Sequence, residues 1–88
     1  MKYIYKTRGT CSTRIFIDTD GQTVSTVEYE NGCSGNTQGI GKLVAGMKLD
    51  DVIDRLSDIR CGMKVTSCPD QLARALRDIK NGVLAPID

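Results

Sequence analysis

Apolar residues change their spacing partway along this chain, and that change sets what it can fold into. In the first third they alternate. Ile15 and Ile17 fall on one face of the segment Arg14 to Asp18 and Phe16 on the other, the period of two of a half-buried strand. Tyr3, Ile4 and Tyr5 between two lysines give a second strand, Lys2 to Thr7. Asp20-Gly21 readily supplies positive backbone dihedrals and marks a tight hairpin into a third strand, Gln22 to Glu30. A turn-rich loop, Asn31 to Asn36, follows. Ile40, Leu43, Val44 and Met47 then recur at helical spacing, and Asp50 or Asp51 caps a second helix with Val52, Ile53, Leu56 and Ile59 on one stripe. Gly62 closes that helix with a left-handed residue. Pro69 opens a third helix, carrying Leu72, Ala73, Leu76 and Ile79 and ending near Asn81-Gly82, and Pro86 leaves a loose tail. Strands followed by helices predict one α+β domain over residues 1–88: a small antiparallel three-stranded sheet, made of a β-hairpin plus an N-terminal strand, with three helices packed on one face.

Composition explains why such a fold needs help. A domain near this size buries only about 60 to 65% of the surface its unfolded chain exposes. With one Phe, three Tyr and no Trp, the interior rests on Ile, Leu, Val and Met, so a staple or a partner is expected. Metal, disulfides and a homodimer are the options. The 12 basic and 11 acidic residues are interleaved, which leaves no basic stripe for nucleic acid. The opening residues Met1 to Lys6 lack a signal peptide's apolar segment, and nothing approaches the ~20 apolar residues of a membrane span. A soluble cytoplasmic protein is the expectation, and that compartment disfavours persistent disulfides.

Four cysteines and no histidine narrow the chemistry. In Thr66-Ser67-Cys68-Pro69-Asp70, Pro69 suits the first helical position, which puts Cys68 at the N-cap, where the helix dipole favours a thiolate. In the alternative, Ser67 caps the helix and Cys68 packs. Closing the hairpin at Asp20-Gly21 brings Cys11 and Cys33 near one another, and the short Cys61 to Cys68 loop does the same for the second pair. Together Cys11, Cys33, Cys61 and Cys68 suit a tetrahedral zinc site, although neither pair has the two-to-four-residue gap of a zinc knuckle. Reduced structural thiols, reactive thiols and disulfides stay open. Gly35, Asn36, Gly39 and Gly41, followed by Lys42, suggest a phosphate loop, but both the P-loop and the dinucleotide spacing fail. What remains is a set of amides at a helix N-terminus that suits an anion. Asp54 and Asp58 lie one helical turn apart beside Arg55 and Arg60, the pattern of a solvated face. No hydrolase constellation is present.

The motif Thr66 to Asp70, continued by Gln71-Leu72-Ala73, resembles the TSCPD domain family, and the likeness runs through Gly9-Thr10-Cys11-Ser12, Asn31 to Asn36 with Gly39-Ile40, and Cys61-Gly62. Members of that family look like small stand-alone bacterial proteins or an appendage at the C-terminal side of adenosylcobalamin-dependent ribonucleotide reductases. The resemblance implies an association with ribonucleoside-diphosphate reductase and deoxynucleotide synthesis. It also implies a joint role for the four cysteines. At 88 residues the chain is far too short for the radical barrel of a reductase, and no cobalamin or ribonucleotide site follows from its residues. The leading expectation is therefore a non-catalytic accessory module with a four-cysteine zinc site and a reductase or related protein as partner. The alternatives are a redox protein in which Cys68 attacks a disulfide and Cys61 resolves it, and a nucleotide- or phosphate-binding module.

Overall fold

The computed structural model describes residues 1–10, 12–32 and 34–88, with Ser34 described for its backbone alone. Strands β1 (Lys2–Lys6), β2 (Ser12–Asp20) and β3 (Thr23–Asn31) form an antiparallel sheet in that order, and α1 (Ser34–Val44), α2 (Leu49–Leu56) and α3 (Cys68–Lys80) follow. This is the α+β arrangement that the change of periodicity predicts. No helix among the described residues is long and apolar enough to cross a membrane.

The hairpin turns where the Asp-Gly pair places it. Asp20 pairs with Thr23, so Gly21 and Gln22 form the loop, and Gly21 has a φ of 65°. A positive φ at the first loop residue alone is the pattern of the II′ turn, which matches the twist of the strands. The inner face of the sheet carries Tyr3, Ile15, Ile17, Val24 and Val27, all buried against Val44, Leu49, Val52, Leu72, Ala75 and Leu76 of the helical layer. Phe16, as expected, points the other way and pairs with Ile4 and Glu28.

Strict alternation would not place both Val24 and Val27 inward. A register shift opposite Asp18 and Thr19 leaves Ser25 as an extra residue on β3, and this bulge restores the inward phase. A second shift, between Ser12 and Arg14, does the same on β2, so that Ser12 and Ile15 are both buried. That second bulge determines which residue of the hairpin's open end faces the helices.

The helices depart from the expected boundaries in four places, each with a local cause. Helix α1 begins inside the Asn31 to Asn36 segment read as loop, and ends where Gly46 takes a φ of 86°. Leu43 is 78% exposed and off the buried stripe, while Met47 lies beyond the helix with its carbonyl accepting from the Val24 amide at 2.8 Å. Helix α2 has Lys48 at its N-cap with no side-chain hydrogen bond, because an ammonium has no acceptor for the first-turn amides, and the Leu49 amide is held by the Gln22 carbonyl at 2.9 Å. Asp50 and Asp51 therefore occupy its first turn instead of capping it. Helix α2 also stops at Leu56, short of Gly62; Asp58 takes a φ of 67° and gives its amide to the Asp70 carboxylate, leaving Ile59 outside the helix. The C-terminal tail is tied down: the Ile87 amide donates to the Lys2 carbonyl at 2.8 Å, and the Lys2 amide to Asp88 Oδ1 at 3.0 Å.

Candidate functional site

The start of α3 is where the chain concentrates its buried polar groups. Ser67 is the N-cap, extended at φ −153° and ψ 171°, and its Oγ accepts from the Asp70 amide at 3.2 Å. Its hydroxyl hydrogen goes to the Ile59 carbonyl at 2.6 Å. The placement of Cys68 at the cap is thereby corrected: a hydroxyl oxygen accepts from a backbone amide better than a sulfur does, so serine takes the cap and Cys68 the first helical turn.

Asp70 anchors this corner. Only 2% exposed, it accepts from the Thr66 hydroxyl, from the Asp58 amide at 2.8 Å and from Arg74 at 3.1 Å. Burial works to raise its pKa, but the Thr66 hydrogen bond, the Asp58 amide and the Arg74 guanidinium together outweigh burial and hold the carboxyl below the usual carboxylate range. Gln71, also buried, donates to Thr66 Oγ1 at 2.9 Å and accepts from the Arg8 amide at 3.0 Å. Thr66, Ser67, Asp70 and Gln71 thus clamp the loop after α2 and the β1–β2 loop onto α3. Among the described residues no buried side-chain polar atom lacks a partner.

This clamp positions the sulfurs. Cys61, exposed, lies on the clamped loop with its amide donating to the Thr66 carbonyl at 3.2 Å. Cys68 is half-buried, its carbonyl accepts from the Tyr29 hydroxyl at 2.8 Å, and its Sγ lies 3.4 Å from Ser12 Oγ. Burial, and secondarily the neighbouring Cys68, push the Tyr29 hydroxyl above the usual phenol range, so it stays a donor at neutral pH. Cys61 and Cys68 share a hollow of about 460 Å³ with Gly35, Asn36 and Ile40 of α1 and Pro69 of α3.

The other expected site residues divide. Gly35, Asn36 and Gly39 border the same hollow. Gly41 instead faces β3, where an added Cβ would come within 2.6 Å of the Val27 carbonyl oxygen, so its role there is close packing. Cys11 and Cys33 lie outside the described residues. Their neighbours do converge: Ser12 pairs with Asn31 across the hairpin, and Gly32 approaches Ser12 closely enough that an added Cβ would lie 3.3 Å from the Ser12 Cβ. Among the described residues no group of three or more His, Cys, Asp or Glu side chains is arranged to hold a metal. The pair Cys61 and Cys68 supplies two soft ligands of the kind zinc takes, and the other two would have to come from Cys11 and Cys33.

Sequence reasoning passed over Ser12, Tyr29 and Gln71. Ser12 carried a signal, its place directly after Cys11, but its inward orientation depends on the bulge. Comparison with known proteins finds neither a curated protein nor a solved structure that matches the chain. The family model of the TSCPD domain matches residues 2–80, nearly the whole length, and the chain belongs to that family.

Proposed function

We propose that this TSCPD domain is an accessory module whose four thiolates, Cys11, Cys33, Cys61 and Cys68, hold one structural zinc ion, and whose surface docks on a ribonucleotide reductase or a related protein of deoxynucleotide synthesis. The observation that carries the metal reading is the contact of Ser12 with the Cys68 sulfur, at a hollow that Cys61 also lines. It supports convergence of the hairpin's open end, and hence the residues next to Cys11 and Cys33, on the second cysteine pair. Four soft ligands without histidine favour zinc, which supplies no redox chemistry and acts here as a cross-link between hairpin and helices. The partner reading rests on the family resemblance.

Elemental analysis with native mass, on protein purified without chelator, tests the metal. About one zinc per chain is expected, lost in Cys61→Ser and Cys68→Ser variants. Metal-free, folded protein with four titratable thiols would overturn it. The exposure of Cys61 at the hollow that Cys68 also lines favours one competing reading, a thiol redox pair. Rapid, selective alkylation of Cys68 in protein as purified would support that reading over zinc.

A further inference from the structure

We propose that the open edge of β1 is a docking site for an extended acidic segment of a partner protein, which adds a fourth strand to the sheet at Ile4 and Lys6. The ladder to β2 fixes which backbone groups face away from the sheet. The Thr7 amide donates to the Thr13 carbonyl at 3.0 Å and the Thr19 amide to the Met1 carbonyl at 2.8 Å. With Tyr3 opposite Ile17 and Tyr5 opposite Ile15, the odd-numbered residues from Met1 to Thr7 therefore bond to β2, and Lys2, Ile4 and Lys6 turn their amides and carbonyls outward. Residues 87–88 show that this edge accepts a chain: the Ile87 amide donates to the Lys2 carbonyl at 2.8 Å, and Asp88 Oδ1 accepts from the Lys2 amide at 3.0 Å. Among the described residues nothing does the same at Ile4 or Lys6. The opposite edge of the sheet is screened, because Met47 and Gly46 take the Val24 amide and carbonyl and α1 lies against Val27 at Gly41.

What borders the edge sets the chemistry of its occupant. Lys2, Ile4 and Lys6 alternate onto the outer face, where Ile4, Phe16 and Ile87 line a hollow of about 270 Å³. Lys2 is opposite Asp18, but Lys6 is opposite Arg14, whose guanidinium is already held by Glu30 at 2.6 Å. Among the described residues Lys6 has no ion pair. A strand with an acid opposite Lys6 and an apolar side chain opposite Ile4 gains at both positions, while main-chain hydrogen bonds supply the rest of the affinity. A second copy fits worse. Antiparallel pairing about Ile4 would set each Lys2 opposite a Lys6, and like charges directly opposite destabilise a ladder.

The inference deepens the docking reading and rests on it for the existence of a partner, though not on zinc. The isotope-labelled full chain is titrated with the peptide acetyl-Glu-Thr-Val-Thr-Glu-amide up to millimolar concentration and followed by NMR shifts and amide exchange. Paired antiparallel, the peptide sets Val opposite Ile4 and Glu opposite Lys6, its second Glu replacing Asp88 at Lys2. It should shift the Ile4 and Lys6 amides most and slow their exchange, while those of Tyr3 and Tyr5, already bonded to β2, change little. Pro in place of the central Val removes the donor to the Ile4 carbonyl and should weaken binding roughly threefold to tenfold. Lys in place of both Glu should weaken it by a similar factor, as should Lys6→Glu in the chain. No protection of Ile4 and Lys6, or equal binding of the proline or lysine peptide, overturns the proposal. Protection of these amides that needs no peptide and rises with protein concentration also overturns it, in favour of a second copy. A ribonucleotide reductase that binds but leaves both amides unprotected overturns the edge and keeps the docking reading. The peptide binding as expected where no reductase binds keeps the edge and removes that partner.

Discussion

Replacing Asp70 should unfasten the corner that holds the cysteines. Its carboxylate takes the Thr66 hydroxyl, the Asp58 amide and the Arg74 guanidinium with a side chain only 3% exposed. Asp70→Ala strands the buried Thr66 hydroxyl, at about 1–3 kcal/mol, and takes the partner from the part-buried Asp58 amide, which water can reach, at less. With the lost Arg74 contact, which is half in solvent and contributes little, the total is roughly 2–4 kcal/mol. An 88-residue domain is stable by about 4–13 kcal/mol. The variant should therefore melt roughly 15–30 °C lower, or fail to fold. Asp70→Asn keeps one acceptor oxygen and should lose about half as much. Thermal and urea denaturation followed by circular dichroism, in reduced protein with and without chelator, reads both. The pH dependence gives an independent check. Because the folded carboxyl is held below its unfolded value, its contribution is complete above about pH 4 and disappears as pH falls through the lower folded value. Asp70→Asn should flatten the stability profile in that acid window. Asp70→Ala within about 0.5 kcal/mol of wild type would refute the clamp, since surface changes alone reach that size.

Two further substitutions test separate parts of the fold. Gly41→Ala should destabilise by about 1–3 kcal/mol in urea melts despite alanine's better helix propensity, because its methyl would meet the Val27 carbonyl oxygen at 2.6 Å; a gain in stability would contradict that close packing. Ser67→Ala should cost roughly 1–2 kcal/mol from the lost cap and speed amide exchange in residues 57–66, since the Ile59 carbonyl loses its donor.

The fold was legible because its main signals are local. Alternation around Ile15 and Ile17, the Asp-Gly turn and the stripe from Leu72 to Ile79 each need only their own segment to be recognised. The bulges at Thr13 and Ser25 were not legible, since an extra residue is defined only against the opposite strand. That is why Ser12 escaped notice even though Cys11 beside it did not. The early start of α1 was hidden by a Gly-, Asn- and Ser-rich run that reads as a turn, and one of α1's glycines, Gly41, answers to a neighbouring strand. At α3 the sequence offered Ser67 and Cys68 as caps, and Pro69 tolerates either. Local pattern could not decide between them; the Ile59 carbonyl, which gives the Ser67 hydroxyl a second partner, comes from a loop eight residues away.

Zinc K-edge X-ray absorption on protein purified without chelator addresses the shared thiolate site most directly, because it counts the atoms bound to the metal. Four sulfurs at about 2.3 Å, with the bound zinc lost in a Cys68→Ser variant, is the predicted result. A first shell of nitrogen and oxygen, or a four-sulfur shell that persists in Cys68→Ser, would contradict it.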